Sequence, residues 1–131
     1  MQEDTWAKLQ STVSEYLIRH RSILDVMSKL QEASARVNRA VAKSVTSCGC
    51  VRINASRQTV PPDISFREIK PFMHNHLEGE LCEHCRDIIE TEIGRNLFYL
   101  AALCDVLGLD LNEIVARERS QLNTLGPYNL T

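Results

Sequence analysis

The chain has 131 residues, of which 44% are hydrophobic, and its formal net charge is −2. These values fit one domain, residues 1–131, with a core of its own. The balanced charge and the 5% aromatic content argue against a nucleic-acid-binding protein, which needs a basic surface and stacking platforms. No apolar run is long enough to span a bilayer, and the first residues lack the basic-then-apolar order of a signal peptide, so we expect a cytoplasmic protein without a membrane partner.

The first 47 residues contain neither Gly nor Pro and repeat apolar residues at the spacing of an α-helix. Ser22, with Asp25 three positions later, is typical of a helix N-cap, and Asp4 is placed to cap an earlier helix. The pattern favours two helices, about 4–20 and 22–46, over one continuous helix, which stays an alternative. The apolar stripe expected to face the core comprises Trp6, Leu9, Val13, Tyr16 or Leu17, Leu24, Met27, Leu30, Val37 and Val41.

The character of the sequence changes between residues 47 and 62. Residues 51–53 alternate apolar and polar side chains, as in a strand, but one short strand cannot form a sheet by itself. We therefore predict an ordered loop there. Ser65 and Glu68 form a capping-box pattern, which predicts a short helix before the connector at residues 74–81.

The strongest helical pattern covers residues 82–107, and Gly108 supplies its stop. Asp110, with Glu113 three residues later, predicts the N-cap of a last helix at residues 111–121. The apolar face of the long helix comprises Ile89, Ile93, Leu97, Leu100, Cys104 and Leu107. The predicted fold is all-α: a bundle of four to five helices in which two long antiparallel helices are joined by an irregular loop that contains cysteines.

Four of the five cysteines occur in two close pairs, Cys48 with Cys50 and Cys82 with Cys85. The first pair ends one predicted long helix and the second begins another, so antiparallel packing would bring four sulfur atoms to one end of the bundle. Four thiolates fill the tetrahedral coordination shell of zinc, so the spacing predicts a structural zinc site. A redox or disulfide pair and unconnected thiols are the alternatives. Three nearby histidines are alternative donors for one thiolate: His74, His76 and His84.

Carboxylates on the two long helices are the candidates for catalysis. They are Glu32, Asp87, Glu90 and Glu92. Asp87 and Glu90 are three residues apart and share a face of their helix. The alternative interpretation is that these carboxylates lie on a solvated helix surface and form ion pairs. Glu32 and Arg36, for example, have the i,i+4 spacing of a stabilising helix pair.

Two segments resemble the metal-binding helices of the all-α MazG-type nucleoside triphosphate pyrophosphohydrolases. Residues 29–41, KLQEASARVNRAV, resemble the first pattern of the family, in which E-E-x-x-E follows K-L-x. Residues 90–115, ETEIGRNLFYLAALCDVLGLDLNEIV, resemble the second pattern, E-[LI]-[GA]-D followed by L-[FW]-Y-L and a G-[IL]-D-L turn. The resemblance covers about thirty per cent of the chain. It implies a helical bundle, a homodimer and a Mg²⁺ ion that carboxylates hold against the triphosphate of a nucleotide.

Departures from this pattern predict that the Mg²⁺ site is lost. Glu32 and Glu92 fit acidic positions of the family, but Arg36 and Arg95 occupy two others and Ala33 a third. A guanidinium group repels a neighbouring divalent cation, whereas Mg²⁺ needs oxygen ligands. We therefore expect a non-catalytic binding or regulatory domain with a structural zinc ion.

Three other interpretations remain open. A shifted set of acids, drawn from Asp87 or Glu90, would restore a Mg²⁺-dependent nucleotide pyrophosphohydrolase. The cysteine pairs would alternatively serve a thiol redox or iron–sulfur protein. Arg36 and Arg95 would form a metal-free site for an anion, such as a nucleotide or another phosphate-bearing ligand.

Overall fold

The computed structural model describes residues 4–126, which form four α-helices and one small antiparallel ribbon. The helices are α1 (Thr5–Tyr16), α2 (Ile23–Lys43), α3 (Glu83–Leu107) and α4 (Leu111–Leu125). The ribbon pairs β1 (Val51–Ile53) with β2 (Leu77–Gly79). The prediction of a mostly helical protein is confirmed. No helix within residues 4–126 is both long and apolar enough to cross a bilayer.

Local signals set two of the helix starts. The Ser22 hydroxyl accepts a hydrogen bond from the Leu24 amide at 3.3 Å, which caps α2. The Asp110 carboxylate accepts one from the Glu113 amide at 3.1 Å, which caps α4. Both predicted N-caps are therefore confirmed. Asp4 occupies the N-cap position of α1, as predicted, but its side chain makes no cap hydrogen bond.

Helix α1 stops at Tyr16, earlier than predicted, because the chain turns Leu17 into the core. Leu17 has an extended backbone, and its carbonyl accepts a hydrogen bond from the Arg21 side chain at 2.9 Å. Helix α1 then packs against α3 and α4. The buried residues of this core, which include the predicted core residue Cys104, are Val13, Leu17, Val26, Ala101, Ala102, Cys104 and Leu111.

One glutamine ties α1 to the turn between α3 and α4. The Gln10 side chain donates a hydrogen bond to the Leu109 carbonyl at 2.7 Å and accepts one from the Leu111 amide at 2.8 Å. Backbone groups at a helix junction lack helical partners, so this side chain satisfies two of them. These two hydrogen bonds of Gln10 fix the end of α3 that lies far from the cysteines.

Helices α2 and α3 run antiparallel, and α3 covers only one side of α2. The Asn96 side chain donates a hydrogen bond to the Ser34 hydroxyl at 2.7 Å, midway along the pair. Val26 and Ala33 are the buried residues of α2. The predicted stripes include residues that are in fact exposed: Tyr16, Leu24, Met27, Val41, Ile93 and Leu107. Because the side chain of Ala33 is small, α3 packs closely against α2 at this residue. The contact therefore lies beside the predicted apolar stripe of α2 and not on it.

The segment between the two long helices is more ordered than predicted. Residues 51–53 form a strand because residues 77–79, predicted as part of a connector, supply the partner strand. The predicted short helix is instead two 3₁₀ turns, Phe66–Glu68 and Lys70–Phe72. Pro71 lies at the start of the second turn, where it has no N–H to continue a helical ladder.

Candidate metal centre

Four cysteine side chains converge where α2 ends and α3 begins. Helix α2 is followed by one π-helical turn, Ser44–Cys48, after which the chain passes Gly49 and Cys50 and enters β1. The chain returns through β2 to Cys82 and Cys85 at the start of α3. The antiparallel course of the two long helices therefore brings the two pairs together, as their positions in the sequence predict.

The geometry of the four sulfur atoms suits one shared ion. All four lie within 4.8 Å of one another, and the Sγ atoms of Cys48 and Cys82 are 3.8 Å apart. A disulfide would need about 2.05 Å, and all five cysteines are free thiols. Among residues 4–126, this cluster is the one group of three or more Cys, His, Asp or Glu side chains whose ligand atoms converge. The four cysteines can therefore hold a metal ion.

A left-handed glycine shapes the first pair. Gly49 has a φ of 78°, and its N–H donates a hydrogen bond to the Ser44 carbonyl at 2.9 Å. Residues with a side chain adopt this conformation at a cost of about 1–2 kcal/mol. The Sγ of Cys50 lies 3.7 Å from the same carbonyl. The tight turn thereby folds Cys50 back towards the end of α2, beside Cys48.

The second pair uses the N-terminus of α3. The Cys82 sulfur caps the helix by accepting a hydrogen bond from the Cys85 amide at 3.4 Å. This hydrogen bond lowers the pKa of the Cys82 thiol to about 7, in the direction expected at a helix N-terminus. Burial raises the pKa of the Cys85 thiol to about 12. Because metal ligands must be thiolates, an ion that binds here displaces protons from the cluster.

The β1–β2 ribbon connects the two cysteine pairs and fixes their separation. Val51, which follows Cys50 directly, pairs with Gly79. In the centre of the ribbon, Arg52 pairs with Glu78 across the strands at 2.9 Å. This ion pair is exposed, so it stabilises the fold by less than about 1 kcal/mol. The main effect of the ribbon is geometric, since it brings the chain back to the first pair of cysteines.

Substitution of Gly79 is expected to disturb this geometry. Its φ is 89°, and a β-carbon there would lie 2.6 Å from the Cys50 carbonyl oxygen. Because that contact is with backbone, Gly79→Ala must push the ribbon apart and move the first cysteine pair. We expect the affinity of the cysteine cluster for a metal ion to fall by about tenfold or more, measured by competition with a chromogenic chelator.

Gly94→Ala is the matched control. Gly94 lies within α3, and a β-carbon there would meet nothing within 4 Å. Alanine is a better helix former than glycine by about 1 kcal/mol, so this variant should melt slightly higher and bind metal normally. Equal metal affinity in both variants would show that the ribbon does not position the cysteines.

The three histidines proposed as alternative donors are outside the sulfur cluster. The converging group consists of cysteines alone among residues 4–126. The Gln58 side chain holds the His74 backbone with two hydrogen bonds of 2.8 and 3.0 Å, and its amide nitrogen lies 3.3 Å from the His76 ring. These two histidines therefore belong to the hydrogen bonds of the loop. His84 is an exposed residue in the first turn of α3.

The candidate carboxylates do not form a second cluster in the described part of the chain. Within residues 4–126, no group of three carboxylates has converging oxygens. Asp87 and Glu90 lie about 140° and 160° around α3 from Glu92, so they face away from it. They are exposed on the opposite side of the helix.

Glu32 and Glu92 are both paired with cations. Glu32 lies in a cleft of about 210 Å³ between α2 and α3, where Lys29 and Arg36 each approach its oxygens to 3.3 Å. The Lys29 hydrogen bond, followed by that of Arg36, holds the pKa of Glu32 below its usual value. Arg95 pairs with Glu92 at 2.8 Å, and the second oxygen of Glu92 is buried without a hydrogen-bond partner among residues 4–126. Among the described residues, the cleft is lined by Lys29, Glu32, Ala33, Arg36, Arg95 and Tyr99.

Comparison with known proteins identifies no relative. No protein family, no characterised protein and no solved structure matches this chain. The resemblance to MazG-type enzymes therefore stays a prediction that rests on the two segments quoted above.

Sequence reasoning missed the contribution of β2 and of Gly79. One weak signal in the sequence pointed to the pairing of these strands. Arg52 and Glu78 carry opposite charges and lie at the centres of two three-residue segments, Val51–Ile53 and Leu77–Gly79. Cross-strand charge pairs of this kind stabilise antiparallel ribbons. The twenty-three residues between the segments conceal the pairing, since hairpin signals operate over two to five residues.

Proposed function

We propose that this chain is a MazG-like helical domain that a zinc ion stabilises and that acts by binding rather than by hydrolysing nucleotides. The observation that carries the proposal is the contrast between its two sites. The sulfur cluster offers four converging ligands, whereas the two acids retained from the MazG-type pattern are each held by a cation.

The spacing of the thiols favours zinc. Two thiolates bound to zinc at about 2.3 Å in a tetrahedron lie about 3.8 Å apart, which is the distance between the sulfurs of Cys48 and Cys82. An iron–sulfur cluster spreads its cysteine ligands over two or more iron atoms, so it needs some of them farther apart than the 4.8 Å that limits this group. Four thiolates also leave no open position for water or substrate, so zinc here would close the end of the bundle and perform no catalysis.

The cleft supports binding rather than Mg²⁺-dependent chemistry. Mg²⁺ is held by carboxylates and phosphate oxygens in octahedral geometry. Arg36 and Arg95 instead bring positive charge into the cleft, and Ala33, at the middle acidic position of the resembling pattern, is buried. Glu32 and Glu92 would have to leave their ion pairs to reach a metal.

An assay of pyrophosphate release tests the proposal. Purified protein should release no pyrophosphate above the blank when it is incubated with Mg²⁺ and each nucleoside or deoxynucleoside triphosphate. Three variants serve as controls. Glu92→Ala removes the acid at the family position, whereas Asp87→Ala and Glu90→Ala each remove an acid of the shifted set. If the protein does release pyrophosphate with Mg²⁺, and any of these substitutions abolishes that release, the chain is a pyrophosphohydrolase and the proposal is wrong.

The charges of the cleft favour a second candidate function, the metal-free binding of a phosphate-bearing ligand. Lys29, Arg36 and Arg95 line the same small space, and Arg binds phosphate oxygens through two parallel hydrogen bonds. Calorimetry with inorganic pyrophosphate in the presence of a chelator tests this candidate. Binding that Arg36→Ala abolishes and that Arg39→Ala, on the same helix, leaves intact would support it, whereas equal effects would indicate nonspecific attraction.

A further inference from the structure

We propose that Cys48 is an oxidation site, at which hydrogen peroxide converts the zinc-bound cluster into a disulfide between Cys48 and Cys82. The inference rests on the proposed zinc site and goes beyond it, because it assigns unequal roles to the four sulfurs. Three observations carry it: the exposure of each cysteine, the distance between two of the sulfurs, and the position of each cysteine in the chain.

The four cysteines are not equally accessible to solvent. Cys48, at the end of the π-helical turn, is exposed, whereas Cys50 and Cys82 are half-buried and Cys85 is buried. Oxidation of a cysteine requires a thiolate and access for the oxidant. Zinc holds all four sulfurs as thiolates, so access selects among them. Cys48 is therefore the sulfur that reacts first.

The first step forms a sulfenic acid on Cys48. The Cys48 thiolate attacks one oxygen of hydrogen peroxide, the O–O bond breaks, and hydroxide leaves. The sulfur gives up two electrons, which the two peroxide oxygens take. Because hydrogen peroxide is hardly larger than water, it reaches this sulfur even where zinc protects the thiols from bulkier reagents.

The second step uses the sulfur of Cys82. Its Sγ atom is 3.8 Å from that of Cys48. A disulfide is about 2.05 Å long, so the two sulfurs approach by about 1.8 Å, a movement that side-chain rotation can supply. The Cys82 thiolate attacks the Cys48 sulfur, the S–O bond breaks, and a second hydroxide leaves. In total, two thiolates and one hydrogen peroxide give one disulfide and two hydroxide ions.

The other two sulfurs are less suited to the second step. Cys50 is separated from Cys48 by Gly49 alone, so a bond between the two cysteines would close a small and strained ring. The Cys50 sulfur also lies 3.7 Å from the Ser44 carbonyl, which keeps it turned towards the end of α2. Cys85 is 7% exposed and lies in the first turn of α3. Cys50 and Cys85 therefore remain reduced.

Formation of the disulfide releases the zinc ion. Two thiolates fill only half of a tetrahedral coordination shell, so a competing chelator removes the ion. The new bond joins the turn that ends α2 to the N-cap of α3, which are the same elements that zinc joins. The oxidised chain therefore keeps its fold, and a thiol reductant with added zinc restores the site. The cluster thereby works as a reversible switch that responds to peroxide.

Peroxide treatment of the full, zinc-loaded chain tests the inference. A chromogenic chelator should record the release of about one zinc ion per chain, at a rate proportional to the peroxide concentration. Mass spectrometry of the linked peptides should place one bridge between Cys48 and Cys82. Cys104, which is 5% exposed in the core, should stay reduced. Treatment with a thiol reductant should restore zinc binding.

Cys48→His and Cys50→His are a matched pair, because each variant keeps four zinc donors, three sulfurs and one imidazole. Cys50→His should release zinc as fast as the wild-type protein does. Cys48→His should release it at least about tenfold more slowly, because the exposed sulfur is gone. The zinc content of both variants is measured before peroxide is added. Equal release rates in the two variants would overturn the inference.

The position of the bridge in the wild-type protein decides the result even if one variant binds zinc poorly. A bridge that leaves out Cys48 or Cys82 would overturn this inference alone. The same holds for a zinc-loaded chain that keeps its ion at peroxide concentrations that oxidise free cysteine. A chain that binds no zinc would overturn the proposed function as well, so the two failures are distinguishable.

Discussion

Cys85→Ser is expected to abolish metal binding and to lower the melting temperature by about 10 °C or more. Cys85 is 7% exposed and belongs to the cluster of four converging sulfurs. A serine hydroxyl is a poor ligand for a soft metal site, so three thiolates would remain around an incomplete coordination shell. The junction of α2, the β1–β2 ribbon and α3 would then lose the ion that we propose holds it together. Elemental analysis and differential scanning calorimetry measure the two effects.

Cys104→Ser separates loss of metal from loss of core packing. Cys104 is also buried, but it lies in the core to which all four helices contribute, away from the sulfur cluster. This variant should melt at a lower temperature while it retains its metal, since the introduced hydroxyl is buried away from the cluster. A chelator should then lower the melting temperature of Cys104→Ser and have no effect on Cys85→Ser. Equal metal contents in the two variants would show that Cys85 is not a ligand.

The double substitution Arg36→Glu with Arg95→Asp is expected to create Mg²⁺ binding that the wild-type protein lacks. The two changes place carboxylates near Glu32 and Glu92 and remove the cations that now pair with them. Without Mg²⁺ the added negative charges repel one another and lower the melting temperature. With millimolar Mg²⁺ the variant should regain stability, whereas the wild-type melting temperature should not move.

Arg39→Glu with Arg86→Asp is the control for net charge. It changes the formal charge equally, but neither residue lines the cleft. This control should show no specific response to Mg²⁺. A wild-type protein that Mg²⁺ stabilises as strongly as the cleft variant would contradict the claim that Arg36 and Arg95 exclude the ion.

Features that depend on neighbouring residues were predictable from the sequence. The caps at Ser22 and Asp110 and the stop at Gly108 are local, because each depends on side chains or backbone angles within one turn. The meeting of the cysteine pairs was also predictable, since two long helices joined by one loop tend to lie antiparallel. The role of the four cysteines as metal ligands stays a prediction.

Features that depend on distant residues were not predictable. The partner strand of residues 51–53 lies beyond a long loop, and a three-residue segment carries too little signal to reveal it. The buried side of α2 was assigned wrongly because the helix is uncharged over a wide arc. The large residues Met27 and Val41 suggested the core, but α3 packs over Ala33, whose small side chain allows close approach.

Metal analysis of protein purified without added metal is the most direct test of the central claim, that four cysteines hold a structural zinc ion. We predict about one zinc ion per chain in a colourless preparation, with the clustered thiols unreactive until a chelator removes the ion. Iron in place of zinc, or metal-free protein whose clustered thiols react at once, would contradict the claim.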